Sequence, residues 1–197
     1  MKKMIILING LSGTGKSVLC ERLAKEYGLE YYPTSSLLRQ LKGKEFSEVN
    51  KADLSKNDGW WEGEEGKKFI EEREKDKSFD RKLDEELLKL IAKGNIVLDS
   101  WTMPWLSKDG FKVWLSADEG VRFKRVMKRD GSESGELVKT VRGKEEKTKR
   151  IFSELYGIKY GEDLSPYHFI LDTTSLNEEQ VFDSVKKKVD EFYKIKN

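Results

Sequence analysis

Gly10-Leu11-Ser12-Gly13-Thr14-Gly15-Lys16-Ser17 combines glycines, a lysine and a hydroxyl in the spacing G-x-x-x-x-G-K-[ST]. The glycines let a backbone wrap until successive N–H groups converge, and a helix starting there adds the positive end of its dipole. A polyphosphate fits such a cradle. Lys16 would reach its terminal phosphates, and the Ser17 hydroxyl would hold a bridging Mg²⁺. A plain strand-to-helix turn needs one or two of the glycines but neither the lysine nor the hydroxyl.

Other residues could serve the same chemistry. Asp99 ends the apolar run Ile96-Val97-Leu98. A carboxylate at the tip of a parallel strand beside a phosphate loop suits Mg²⁺ held through its water shell, and the plain alternative is a turn or cap residue. Arg39 follows the loop by one strand, where it would meet an acceptor's phosphate or stay solvated on its helix. Asp80 and Asp84 lie one helical turn apart, and Arg122, Arg125 and Arg129 share one helical face. Lys139, Arg142, Lys144, Lys147, Lys149 and Arg150 crowd one segment: singly solvated, together they suit a cationic lid over a triphosphate. Asn50-Lys51-Ala52-Asp53 fits the guanine-reading pattern N-K-x-D, but it follows a polar stretch instead of a buried strand, and the chain has no D-x-x-G. It is set aside.

These residues need elements to hold them. Met4 to Ile8 is a continuous apolar run rich in β-branched residues, expected of a strand buried on both faces, and Lys16 to Tyr27 carries Val18, Leu19, Leu23 and Ala24 at helical spacing. Glu30 to Tyr32 reads as a short strand closed by Pro33. Thr34-Ser35-Ser36 offers cap hydroxyls for a helix through Leu37, Leu38, Arg39 and Leu41 toward Gly43. Glu45 to Asp76 is polar, with Gly59, Gly63 and Gly66 around Trp60-Trp61, and predicts short helices partly covering an acceptor site. Asp80 to Lys93 is a helix with Leu83, Leu87, Leu88 and Ile91 as its stripe and Gly94 as its stop. Asn95 to Asp99, Phe111 to Leu115 and Tyr167 to Asp172 are the remaining strands, and His168 is a strand residue without a chemical role. Asp118 to Arg129 is helical. Ser132 to Tyr156 has too few large apolar residues in its first two-thirds to bury itself, which predicts a mobile helical flap. Glu178 to Ile195 turns Val181, Val185, Val189 and Phe192 inward. Five strands alternating with helices predict an α/β fold with a parallel doubly wound sheet flanked on both faces.

The 197 residues suffice for one domain. Its expected parts are a core (1–32, 95–130 and 157–197), an acceptor-binding segment (33–94) and a lid (about 131–156). Net charge of +2 within 38% charged residues argues against nucleic acid as principal partner. No run approaches the roughly 18 apolar residues of a membrane span, and Met-Lys-Lys leads into a strand, so a cytoplasmic protein is expected. Cys20 is the only cysteine, which excludes an internal disulfide and suits a small buried role.

The whole chain resembles the nucleoside monophosphate kinases, most closely those of the archaeal-type cytidylate kinase family. Beyond the loop, the likeness rests on Asp80-Arg81-Lys82-Leu83-Asp84, Gly94-Asn95-Ile96-Val97-Leu98-Asp99, Val121-Arg122 with Arg125 and Arg129, Tyr156-Gly157-Ile158, and Asp163-Leu164-Ser165 followed by Tyr167. The resemblance implies a P-loop NTPase fold in which ATP donates its γ-phosphate to CMP or dCMP with Mg²⁺. By position, Gly10, Leu11, Ser12, Gly13, Thr14, Gly15, Lys16, Ser17 and Val18 would hold ATP, and Ser17 and Asp99 the metal. Lys16, Arg125, Arg142 and Arg150 would stabilise the transferring group. Ser35, Arg39, Asp80, Asp84 and Trp101 would face the acceptor. Small-molecule nucleotides are then the partners, and a monomer or weak homodimer is expected.

Three departures fall on the acceptor side, one of them the Trp60-Trp61 region, which looks like an insertion. Trp101 stands where the family has an arginine, and Ser35-Ser36 replaces a Gly-Asp pair. The indole would stack on the acceptor's base or ribose, or join Met103 and Trp105 in a core. A related P-loop kinase with another small acceptor, or a non-catalytic nucleotide-binding protein, therefore stands beside the kinase reading.

Overall fold

The structure is a computed structural model that describes residues 3–42, 44, 46–49, 54, 60–131 and 134–195. Strand β1, Ile5–Gly10, is buried at every position. It pairs in parallel with β3, Ile96–Asp99, on one side and with β4, Phe111–Ser116, on the other. Strands β2, Glu30–Pro33, and β5, Phe169–Asp172, form the edges, so the order is β2-β3-β1-β4-β5, all parallel.

Alternation along β1 divides the core. Ile5 and Leu7 face one side, with Leu37 and Leu38 of α2 (Thr34–Gln40), Phe69 of α3 (Glu64–Lys75), Leu83, Leu87, Leu90 and Ile91 of α4 (Ser78–Lys93) and Met103 of α5 (Met103–Leu106). Ile6 and Ile8 face the other, under Leu19, Cys20 and Leu23 of α1 (Lys16–Tyr27) and Val181, Val185 and Val189 of α8 (Glu178–Tyr193). Side chains two apart on a strand share a face, so a strand covered on both sides must be apolar throughout. The helices flank the sheet on both faces, and Cys20 has the small buried role its type suggests. His168 precedes β5: its Nδ1 accepts the Lys112 N–H at 3.0 Å and its ring stacks on Phe111.

Several expectations need correction. The hydroxyls of Thr34, Ser35 and Ser36 do not cap α2, because Pro33 occupies the cap position; Thr34 instead turns its hydroxyl and N–H toward Asp99. Residues 64–75 form a full three-turn helix, held by Phe69 and Ile70 with Arg73 buried beside them. Leu88 and Phe192 are exposed edges of their helices, Leu90 taking the inward position on α4. The largest correction concerns α7, Gly135–Tyr156. It is one continuous helix capped by Ser134, and it buries Val141, Ile151 and Phe152 together with the polar Glu145 and Thr148. Its apolar stripe is thin because polar side chains complete it. Helix α6, Glu119–Asp130, supplies Phe123 and Val126 to the same seam. The expected stop at Gly43, residues 50–53, Glu45, Gly59 and Ser132 lie outside the described residues.

Gly66 lies inside α3 where a Cβ would stand 2.6 Å from the Trp61 Cα. Helix propensity alone would reward alanine by about 1 kcal/mol, but forcing an atom into a packed backbone contact costs about 1–3 kcal/mol. Gly66→Ala is therefore expected to destabilise the protein in urea unfolding. Stabilisation would show that the Trp60–Glu62 turn yields freely.

Candidate active site

The glycine loop is shaped by what lies against it. Gly13 has φ +79°, and a Cβ there would meet the Arg122 carbonyl carbon at 2.8 Å, so the start of α6 and the loop share one tight backbone contact. Arg122 then folds back, donating to the Ser12 carbonyl at 2.9 Å and to Glu145 Oε1 at 3.0 Å. Glu145 in turn accepts the Ser12 N–H at 2.8 Å. Arg125 donates to Thr173 Oγ1 at 3.0 Å and to the Thr173 carbonyl at 2.7 Å, with the Gly13 carbonyl at 3.4 Å. Lys16 reaches across the loop to the Leu11 carbonyl at 2.9 Å, and burial lowers its pKa. Residues Ser12 to Val18 line a cavity of about 740 Å³. Gly10 and Leu11 do not line it.

Asp99, at the tip of β3, is in the same cavity. Its Oδ1 accepts the Thr34 N–H at 3.0 Å and its Oδ2 the Tyr31 hydroxyl at 3.2 Å. Burial pushes its pKa up to about 6 against the pull of Lys16. A buried carboxylate facing a hydroxyl, Ser17, is an all-oxygen pair that a hard cation would stabilise, so the two residues fit Mg²⁺. The cap role left open for Asp99 is also filled, toward α2 and not its own strand.

The far wall is a second polar group. Arg73 donates to Asp80 twice, at 3.0 and 2.6 Å, with both side chains almost fully buried. Asp84 accepts the Thr102 hydroxyl at 2.5 Å and the Tyr156 hydroxyl at 2.8 Å. Burial raises its pKa from 3.8 to about 6. Between the walls lies Trp101, stacked on Tyr160 at 4.3 Å between ring centroids, its carbonyl accepting from Asn9 Nδ2. The core reading of Trp101 holds in part, since it packs with Trp105 around Tyr160 while Met103 belongs to a separate core; Trp101 also lines the cavity.

The cations need reassignment. Arg39 does not line the cavity; its guanidinium lies over Trp60 at 5.8 Å. Arg142 pairs with Glu119 at 2.6 Å and Arg150 with Glu74 at 2.7 Å, each more than half exposed on the outer side of α7. Arg150, Lys147 and Lys144 meet Glu74, Glu71 and Glu62, an ionic seam that fixes α7 against α3 and the turn Trp60–Glu62. The cations that do line the cavity include Lys16, Arg73, Arg125, Lys128, Arg129 and Lys144, alongside the expected Ser35, Asp80, Asp84 and Trp101. Lys144 was named within the basic run but not singled out as Arg142 and Arg150 were, and Arg73 and Glu62 were hidden in a polar stretch. For Glu145 and Thr148 a signal existed: 141, 145, 148 and 152 repeat at helical spacing, with polar residues in the middle.

Residues 5–175 match the sequence profile of the Cytidylate kinase-like family. The chain is 30% identical to the cytidylate kinase of Pyrococcus abyssi, covering 96% of each chain. It is 28% identical to that of Methanocaldococcus jannaschii, covering 97% of this chain and all of the other. Among solved structures, the shikimate kinase of Acinetobacter baumannii in complex with shikimate aligns with TM-score 0.55 at 16% identity, over 99% of this chain and 96% of that one, a likeness of fold alone.

Asp84 supplies a pH test. Its folded-state pKa, about 6, lies above its ordinary value of 3.8, so protons bind the folded state more tightly. Its contribution to stability is full below pH 3.8 and is lost as pH rises through 6. Asp84→Asn, which keeps an acceptor without the charge, should gain stability over the parent as pH rises from 4 to 6 and hold that gain above 7, by roughly 1–3 kcal/mol. Denaturation curves at pH 5 and 8 measure it. An equal difference at both values would mean that Asp84 is as easily ionised folded as unfolded.

Proposed function

The chain belongs to the cytidylate kinase-like family, a nucleoside monophosphate kinase drawing on ATP, and from that premise we propose that its acceptor is CMP or dCMP. The observation that carries this reading is the continuity of one cavity from the glycine loop to the Arg73, Asp80 and Asp84 wall. Along one edge cytosine offers its exocyclic N4 amine as donor, then ring N3 and the O2 carbonyl as acceptors. Carboxylates and a guanidinium match that edge, the acids taking the N4 amine and Arg73 meeting the acceptors.

The chemistry needs no nucleophilic side chain. An oxygen of the acceptor's phosphate forms a bond to the γ-phosphorus while the bond from that phosphorus to the β,γ-bridging oxygen breaks, leaving ADP and the nucleoside diphosphate. The protein's part is alignment and charge. The N–H groups of Gly13 to Ser17 and the start of α1 would receive the donor's phosphates, as the loop shape supports, the Ser12 N–H being taken by Glu145. Lys16 would exchange the Leu11 carbonyl for phosphate oxygen. Its lowered pKa is recovered when an anion arrives, because a polyphosphate offsets the burial that lowers it. Ser17 and Asp99 would hold Mg²⁺, which when bound neutralises phosphate charge. Arg125 braces the loop through Gly13 and Thr173 and turns its charge toward the same end. Trp101 and Phe152 supply apolar wall that excludes water, which strengthens every charge contact inside.

The test is a coupled assay for ADP with Mg-ATP and each of CMP, dCMP, UMP, AMP and GMP. CMP and dCMP should turn over best, and no ADP with either would remove the proposed acceptor. Lys16→Ala should lower kcat by about 10²–10³, the cost of one lost preorganised contact, and leave the protein folded, since the loop backbone and not the lysine shapes the turn and Asp99, losing that cation, can take up a proton. Unchanged turnover in that variant would overturn the placing of ATP.

A further inference from the structure

Glu62 stands on the single turn before α3 and lines the cavity with Arg129 of α6 and Lys144 of α7. Its side chain is 9% exposed. Lys144 Nζ lies 2.5 Å from its Oε1, and an Arg129 nitrogen lies 3.7 Å from the same oxygen. Its Oε2 is buried and meets no hydrogen-bond donor among the described residues. A buried carboxylate stabilises a fold when its lone pairs are filled. Here two cations crowd one oxygen and leave the other empty.

A phosphate would satisfy those cations better, because it presents several anionic oxygens to the same donors. The place is right for one. Glu145, next in the chain to Lys144, bonds to the Ser12 N–H of the loop. Lys144 and Lys16 line the same cavity. Arg129 lies one turn beyond Arg125 on a helix whose start is locked to Gly13. The positions from which a phosphate grip was expected do not provide one, Arg39 lying over Trp60 and position 101 holding an indole.

We propose that Arg129 and Lys144 form an anion subsite for the acceptor's phosphate, and that Glu62 fills it in the free protein as a phosphate surrogate that the substrate displaces. The naming of the anion rests on the kinase reading above; the subsite itself rests on the three side chains. Arg129 is also held by Asp130 at 2.5 and 2.8 Å, so Glu62 chiefly compensates Lys144, and exchange of one anion for another spares the cavity that bare cation when empty. It also weakens acceptor binding by the work of displacing the carboxylate. Glu62 can leave without unwinding α3, which begins two residues later.

Glu62→Gln keeps the shape and removes the charge. KM for CMP should fall about tenfold, or ~1.4 kcal/mol, with kcat nearly unchanged, the pattern of an altered ground-state contact. Inorganic phosphate at fixed ionic strength should raise the melting temperature of Glu62→Gln more than that of the parent, and Glu62→Gln with Lys144→Ala should lose the difference. A raised KM would make Glu62 a direct ligand of the nucleotide, and an unchanged KM with a lowered melting temperature would make it structural; either overturns the surrogate. Should CMP prove not to be the acceptor, the phosphate shift still reports on the subsite alone. If the glutamine variant does not fold, Lys144→Ala decides: loss of the phosphate shift and a KM about tenfold higher support the subsite, and values like the parent's overturn it.

Discussion

The contact between Gly13 and the backbone of Arg122 constrains more of this molecule than any other. No side chain fits between them, so the loop and α6 are locked in one relation. Arg122 then grips the Ser12 carbonyl and Glu145, and Glu145 grips the Ser12 N–H, so α7 is tied to the same point. The Arg122 and Glu145 side chains are both nearly fully buried. A buried pair of this kind contributes little as an attraction, but removing one member leaves a bare charge inside. The pair therefore acts as a fixed joint. From it radiate Arg125 and Arg129 on α6 and Lys144 on α7, and the loop that would receive polyphosphate is the hub that orients the cations around it.

The opposite wall is built on another principle. Arg73 and Asp80 neutralise each other through two hydrogen bonds, whereas Asp84 has only hydroxyl donors and ionises reluctantly. One wall thus holds a matched pair and an acid that burial keeps near neutrality. Donors and acceptors fixed in a buried wall can discriminate a base by its hydrogen-bonding edge, because a mismatched edge leaves buried groups without partners. On the proposed reading, positive charge near the loop and paired polarity at the far end would divide the cavity between phosphate and base.

Much of this was legible in the chain. The glycine loop, the alternating strands and helices and the strand-end position of Asp99 follow from local pattern, since a strand covered on both sides must be apolar and a phosphate cradle needs its glycines. Asp80 and Asp84 were marked by spacing and fall where spacing put them. What escaped notice was polar residues doing the work of apolar ones. Helix α7 reads as too hydrophilic to pack because Glu145 and Thr148 occupy its inner face, and α3 reads as part of a run of short helices because Arg73 is one of its buried residues. A buried charge is recognisable only with its partner, and the partners lie far off in sequence, Glu145 with Arg122 and Lys144 with Glu62. Arg142 and Arg150 erred in the other direction. In a basic run any member can face inward, and the turn of the helix sends these two to Glu119 and Glu74.

The division of the cavity into a phosphate end and a base end is the centre of the account. A crystal structure with a bisubstrate analogue, adenosine and cytidine joined through a polyphosphate chain, measures it most directly. The account predicts the phosphate chain on the N–H groups of Gly13 to Ser17 and the cytosine edge against Arg73, Asp80 and Asp84. Cytosine bound elsewhere, with that wall untouched, would contradict it.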